Sequence, residues 1–88
     1  MIVRTNHIDA LAMSSDGSQI VSGGRDNLVK FWQSSDGKHL HTFSGHTAEI
    51  EGVAFISNDR QIASVSDDNS LKIWDARSAS QLILDALF

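Results

Sequence analysis

The sequence predicts an all-β protein made of two similar four-stranded antiparallel sheets, one for each half of its 88 residues. The main observation is an internal repeat: the chain aligns with itself at an offset of 42 residues without a gap. The 46 overlapping pairs contain twelve identities, whereas composition alone would give roughly three. A second observation is that short runs rich in Ile, Val, Trp and Ser alternate with Gly and Asp. This pattern indicates strands and turns and not helices.

Each repeat divides into four predicted strands separated by turn residues. In the first repeat, the predicted strands are His7–Met13, Gln19–Gly24, Leu28–Gln33 and Lys38–Phe43. In the second repeat, they are Glu49–Ile56, Gln61–Ser66, Ser70–Ala76 and the segment from Gln81 onward. The tail from Leu82 to Phe88 has helical propensity, and we assign it to a strand because it follows the repeat.

Composition excludes several classes of protein. Eleven acidic and seven basic side chains give a net charge of −4, which disfavours nucleic acid and anionic membrane surfaces as partners. The absence of cysteine excludes disulfides and thiolate metal sites. No apolar run approaches the roughly 20 residues of a membrane span, and the N-terminus lacks the apolar core of a signal peptide. We therefore expect a cytoplasmic protein without a cofactor.

One polar motif is specific enough to suggest a family. Gly45-His46, Ser64 and the run Asp68-Asn69-Ser70-Leu71-Lys72-Ile73-Trp74-Asp75 resemble the GH…S…D-x-T-V-x-x-W-D pattern of WD-repeats. The resemblance covers nearly the whole chain in two copies. It implies two propeller blades, residues 1–46 and 47–88, with His46 supplied to the second blade by the connecting loop.

The resemblance further implies a buried hydrogen-bonded tetrad in each blade. In the second blade its members would be His46, Ser64, Asp68 and Trp74. The first copy is degenerate: Ser22, Asp26 and Trp32 fit the pattern, but Arg4 stands where the histidine is expected. We therefore expect an incomplete tetrad and a looser rim in the first blade.

Three groups of polar residues could carry chemistry or bind a ligand. Ser64, His46 and Asp68 are the residue types of a hydrolase triad, but a serine in a covered strand favours the structural role. His39 and His41 are two apart on a strand, so they would share a face and could chelate a metal, although no third ligand is evident. The acidic residues Glu49, Glu51, Asp67 and Asp68 could bind a basic partner; alternatively, Asp68 is structural and the other three are simply solvated.

Two blades cannot close a ring, because each blade in a propeller is packed on both faces. A blade face of roughly 400 Å² left bare would forgo on the order of 10 kcal/mol of hydrophobic stabilisation. We therefore expect either a segment of a longer chain or head-to-tail packing of copies. Three or four copies would give six or eight blades, and four copies are slightly preferred.

On this interpretation we expect a non-catalytic protein-interaction scaffold that assembles head to tail. A module of a larger signalling protein is the alternative, and a hydrolase is the remote one. Propeller loops implied by the resemblance would contact a protein or peptide partner. The candidate contacts on the loops leading into each repeat and on its second turn are Arg4, His7, Arg25, Glu49 and Asp67. Their charges differ in sign between repeats, which would favour a head-to-tail order only weakly.

Overall fold

The structure is a computed structural model that describes residues 7–76 and the backbone of residues 80–87. Eight strands form two four-stranded antiparallel sheets in simple sequence order, β1-β2-β3-β4 and β5-β6-β7-β8. The first sheet contains β1 (Ile8–Met13), β2 (Gln19–Gly24), β3 (Val29–Gln33) and β4 (His39–Phe43). The second contains β5 (Ile50–Ile56), β6 (Gln61–Ser66), β7 (Ser70–Asp75) and β8 (Ser80–Leu87). All eight predicted strands are present, and their bounds agree to within one residue.

The second turn of each sheet has the same local construction. In both sheets an aspartate is followed by an asparagine with positive φ, 68° at Asn27 and 69° at Asn69. The aspartate Oδ1 accepts a hydrogen bond from the amide two residues later, at 3.1 Å for Asp26 and 2.9 Å for Asp68. Because an Asx turn of this kind tolerates the left-handed conformation, the Asp-Asn pair fixes the turn without glycine.

The first turn of the first sheet is closed by a different acidic residue. Asp16 accepts hydrogen bonds from the Ser18 amide at 2.9 Å and from the hydroxyls of Ser18 and Ser14. These bonds, led by the Ser18 hydroxyl, lower the pKa of Asp16 to about 2. Gly17 takes a positive φ of 74° in this turn, which a side chain would disfavour.

A β-bulge lies at the start of the first strand in both sheets. The pairing shifts between Ile8 and Ala10 in β1, and between Ile50 and Gly52 in β5. Because the bulged residue interrupts the alternation, Ile50 points to the same side of its sheet as Val53. The repeat is therefore preserved even in the irregularities of the sheets.

The hydrophobic core lies between the two sheets. We call the side of each sheet that contributes to this core its packed face. Its buried members are Val21, Val29, Phe31 and Phe43 of the first sheet and Ile50, Ile62, Trp74 and Ala76 of the second. Phe43 and Trp74 stack across the interface with ring centroids 5.1 Å apart, and Phe31 meets Phe55 at 6.0 Å. Aromatic side chains thus join the sheets near β3, β4, β5 and β7.

The closest approach of the two sheets depends on a glycine. A Cβ added at Gly23 would lie 2.3 Å from Ile50 Cγ2 and 2.7 Å from Ile50 Cβ. Ile50 is fully buried in this niche. At the opposite edge, Asp59 Oδ2 accepts hydrogen bonds from the amide and the hydroxyl of Ser15. The two sheets are therefore joined by an apolar contact between Gly23 and Ile50 and by polar contacts between Ser15 and Asp59.

Each sheet also has a second side that the other sheet does not cover, and we call this side its free face. On the first sheet it carries Ile8, Leu11 and Met13, which are 39%, 59% and 59% exposed. Strand alternation places Ala54, Ala63 and Val65 on the free face of the second sheet, where a shallow groove has a volume of about 240 Å³. Within the described residues, no helix has the length and apolar character needed to cross a bilayer.

Candidate functional site

A buried polar cluster joins the connecting loop to the second sheet. Trp74 Nε1 donates to Ser64 Oγ at 2.8 Å, and Ser64 Oγ lies 2.7 Å from His46 Nε2. His46 Nδ1 lies 3.0 Å from Asp68 Oδ2. Ser64 is only 1% exposed, and both aromatic rings are buried. The structure thus brings the four residues proposed for the second tetrad into one chain of hydrogen bonds.

Asp68 anchors the outer end of this cluster. Burial opposes its ionisation, but hydrogen bonds from the Ser70 hydroxyl, the Thr47 amide and His46 outweigh that effect. The pKa of Asp68 is consequently held well below its usual range. The Thr47 amide lies 3.0 Å from Asp68 Oδ2, and the Ser70 amide lies 2.9 Å from Oδ1. The carboxylate therefore stays ionised and acts only as an acceptor.

An ionised Asp68 fixes the proton on one nitrogen of the imidazole, because the carboxylate can only accept from His46 Nδ1–H. In the tautomer that carries its single proton on Nδ1, Nε2 accepts the hydroxyl proton of Ser64, and Ser64 Oγ accepts from Trp74 Nε1. Every donor in the cluster is used, and no buried side-chain nitrogen or oxygen in the described residues lacks a partner.

Ser70 belongs to this cluster, although sequence reasoning did not select it. Its hydroxyl donates to Asp68 Oδ1 and lies 3.1 Å from His46 Nδ1. The available signal was a hydroxyl two residues after the turn aspartate, where serine commonly supports an Asx turn. The equivalent residue of the first repeat is Leu28, which cannot make these bonds.

The first sheet keeps only part of the arrangement. Trp32 Nε1 donates to Ser22 Oγ at 2.9 Å, as in the second sheet. Asp26 closes its turn and forms an ion pair with Lys30 at 3.3 Å. Arg4, which aligns with His46, lies outside the described residues.

The buried cluster cannot serve as an accessible hydrolytic triad in this conformation. The hydroxyl of Ser64 is covered by the Trp74 ring and already bonded to His46. A nucleophile needs an exposed oxygen beside an oxyanion hole. The geometry therefore fits a structural network that ties the connecting loop to β6 and β7.

The histidine pair of β4 does not share a face, so the prediction that His39 and His41 point to one side is wrong. A bulge between Phe31 and Trp32 shifts the pairing, so that His41 opposes Phe31 and His39 opposes Trp32. Phe31 and Trp32 are consecutive and point to opposite sides of β3. His41 stacks on Phe31 at 6.2 Å, whereas His39 packs against Trp32 at 4.9 Å. The bulge cancels the period-two rule on which the prediction rested.

The proposed partner-contact residues lie together at one edge of the sheets. We call this the second-turn edge, because the β2–β3 and β6–β7 turns meet the starts of β1 and β5 there. The Arg25 amide donates to the His7 carbonyl at 3.1 Å, and the Asp67 amide donates to the Glu49 carbonyl at 3.0 Å. The two pairs therefore occupy equivalent positions. Arg4, the fifth candidate, lies outside the described residues.

The charges at this edge differ between the sheets. Arg25 lies 3.6 Å from Asp9 and its side chain is 54% exposed. In the second sheet, carboxylate oxygens of Glu49, Glu51 and Asp67 lie within 4.8 Å of one another. Repulsion from Asp67 is the main cause that raises the pKa of Glu51. This spacing would allow the three carboxylates to bind one cation, but exposed acidic groups commonly lie this close together without one.

The protein has two stacked four-stranded sheets, and in each sheet the strands follow one another in chain order. Together with the Trp–Ser–His–Asp network of the second sheet, this arrangement defines a repeat protein of the propeller-blade class. The family model described as "WD domain, G-beta repeat" matches residues 2–33 and 37–75. The chain belongs to this WD40 family. Repeats of this family generally act as non-catalytic scaffolds.

Curated relatives match only a small part of their own length. A human protein named U3 small nucleolar RNA-interacting protein 2 is 40% identical over 42 residues, which are 48% of this chain and 9% of that protein. A Caenorhabditis elegans protein named small ribosomal subunit protein RACK1 is 38% identical over 45 residues, 51% of this chain and 14% of that protein. The chain thus spans about a tenth of the length of these relatives.

Two solved structures have nearly the same fold over the matched region. The crystal structure of the RRP9 WD40 repeats superposes with a TM-score of 0.87 at 34% identity, covering 93% of this chain and 24% of that one. The structure of U3-55K superposes with a TM-score of 0.89 at 33% identity, covering 97% and 26%. The arrangement of the two sheets is therefore that of WD40 propeller proteins.

Proposed function

We propose that the chain supplies two consecutive blades to a propeller that acts as a non-catalytic protein-interaction scaffold. The observation that carries this proposal is the division of polar residues. The Ser, His and Asp groups that could do chemistry are consumed in a buried network, whereas the ionisable groups of the second-turn edge remain accessible. An edge of this kind suits recognition of a protein or peptide surface.

The charge of this edge bears on the class of partner. The relatives' names refer to a small nucleolar RNA and to a ribosomal subunit. Within this chain, however, the net charge is −4, and the second sheet presents three clustered carboxylates at the edge. Phosphate backbones repel such a surface. We therefore propose a protein or peptide as the direct partner, including a protein component of an RNA–protein assembly.

The free faces support completion by further blades. At the repeat offset, Ile8, Leu11 and Met13 correspond to Ile50, Val53 and Phe55, the three side chains with which β5 packs on the first sheet. The exposed trio therefore has the composition of a docking face. The additional blades could come from a longer chain. The small share of each relative that this chain matches, 9% and 14%, favours this source. Alternatively, three or four copies could pack head to tail.

A charge reversal at the second-turn edge tests the scaffold function. Extract of the host cell is passed over the tagged chain, and captured proteins are compared between the wild type, Arg25→Glu and Arg60→Glu. Arg60 is exposed and lies in the β5–β6 turn at the opposite edge, so its variant carries the same change of charge. We expect Arg25→Glu to lose specific partners that Arg60→Glu retains. Equal capture by all three proteins would contradict the proposed edge.

The cellular location is a separate part of the proposal. We propose the cytoplasm, because the sequence has no apolar run of membrane-span length and no apolar signal-peptide core at its N-terminus; the lack of cysteine is compatible with this reducing compartment. Fluorescence microscopy of the tagged protein in its host tests this assignment, and accumulation in a nucleolus or outside the cell would overturn it.

A further inference from the structure

The two free faces look complementary, but one pair of residues breaks the match. The packed face of the first sheet receives Ile50 in the niche above Gly23. At the repeat offset, Val65 takes the place of Gly23 and Ile8 takes the place of Ile50. A second copy docked in the same geometry would therefore direct its Ile8 at Val65.

The space available at this contact is too small for two side chains. Even a single Cβ at Gly23 would lie 2.3 Å from Ile50 Cγ2 and 2.7 Å from Ile50 Cβ. The second distance shows that shortening the isoleucine to alanine would not remove the overlap, because both Cβ atoms remain. One of the two positions must be glycine for sheets to approach this closely. Val65 and Ile8 together do not meet this condition.

The free face of the second sheet has been reshaped around Val65. In the first sheet the cross-strand pair is Ala10 with Gly23, and in the second it is Gly52 with Val65. A Cβ built on Gly52 would lie 3.0 Å from Val65 Cγ2, so the valine side chain leans over the glycine. In the first sheet the side chain of this pair is on β1, whereas in the second sheet it is on β6. The Val65 side chain therefore occupies the space that a side chain of a docking sheet would need.

We propose that Val65 makes the free face of the second sheet selective for a blade with glycine at the position equivalent to Ile50. A second copy of this chain, which presents Ile8 there, is rejected in that geometry. This inference rests on the proposed ring and specifies one residue, glycine at the position equivalent to Ile50, of the blade that packs on the free face of the second sheet. It distinguishes between the two sources of additional blades, because head-to-tail copies would need a different contact.

Sedimentation velocity of the full chain over a range of concentrations tests the inference. The double variant Gly52→Ala with Val65→Gly rebuilds the pair found in the first sheet, and Ile8→Gly opens the same contact from the other side. Since overpacking typically costs about 1–3 kcal/mol, which is about 5- to 150-fold in an association constant, each variant should strengthen self-association by a factor in about this range. A discrete species of three or four copies should then appear that the wild type lacks.

The matched control is Ala63→Gly, which removes a side chain from the same strand and face, two residues from the contact. It should leave the sedimentation of the wild type unchanged. Near-ultraviolet circular dichroism confirms that each variant is folded. A discrete ring in the wild type would overturn the inference, as would folded variants that fail to associate more strongly. The capture experiment with Arg25→Glu measures partner binding at the second-turn edge and does not depend on the mass of the assembly. It therefore tests the scaffold function separately from this inference.

Discussion

Replacing Ser64 by alanine tests whether the buried network stabilises the second sheet. The Oγ atom accepts from Trp74 Nε1 at 2.8 Å and donates to His46 Nε2 at 2.7 Å. Its removal leaves two buried polar groups without a partner. Each such group typically costs about 1–3 kcal/mol, so we expect the free energy of unfolding to fall by about 2–6 kcal/mol.

The first sheet supplies the matched control. Ser22 occupies the equivalent position, and within the described residues the bond found for its side chain is the one it accepts from Trp32 Nε1. Ser22→Ala therefore leaves a single donor unpaired, at a cost of about 1–3 kcal/mol. The same substitution is thus expected to be more destabilising in the second sheet by the contribution of the His46 bond.

Urea unfolding followed by tryptophan fluorescence measures both losses, because each sheet has one tryptophan. With a slope of about 1 kcal/mol per molar urea, a loss of about 2 kcal/mol shifts the midpoint by about 2 M. The slope should be the same for both variants, which shows that the compactness of the unfolded state has not changed. Equal midpoint shifts for Ser64→Ala and Ser22→Ala would refute the role assigned to His46.

Three further results are expected. Folding lowers the pKa of Asp68. The stabilisation that the ionised carboxylate provides is therefore complete above the unfolded pKa of about 3.9 and is lost as the pH falls below that value. The unfolding midpoint of Asp68→Asn should consequently change less over this acid range than that of the wild type. Gly23→Ala should lower stability by about 1–3 kcal/mol in thermal unfolding because its Cβ collides with Ile50, and an unchanged midpoint would contradict the niche. Because His39 and His41 point to opposite faces, zinc titration by calorimetry should give the same weak heat for the wild type and His41→Ala, and a loss of tight binding in the variant would contradict that geometry.

The sequence predicted the strands well because two independent patterns agreed. Asp26-Asn27 and Asp68-Asn69 encode the same left-handed turn, and the apolar runs on either side have strand length. The repeat then transferred each assignment from one half to the other. The resemblance to the WD-repeat pattern, and not the repeat itself, implied the tetrad residues His46, Ser64 and Trp74, since the first copy has Arg4 in place of the histidine. The strand assigned after Gln81 followed from the repeat against its helical propensity.

Sequence reasoning failed where a bulge changed the side-chain direction. The spacing of His39 and His41 predicts a shared face only for a regular strand, and the pairing shift in β4 removes that condition. Ser70 was missed for a related reason. Its hydroxyl matters only because the turn brings it back to Asp68 and His46, a contact that no linear pattern measures.

The amino-acid sequence by itself determined the number of sheets, their strand order and the residues available for the buried network, because these depend on local propensity and on a repeat of fixed length. Only the tertiary structure decided which faces pack and which stay free. That choice depends on distances between atoms far apart in the chain, above all the niche in which Gly23 leaves room for Ile50. At this distance one Cβ atom separates a fit from a collision, and the pattern of apolar residues is the same in both cases.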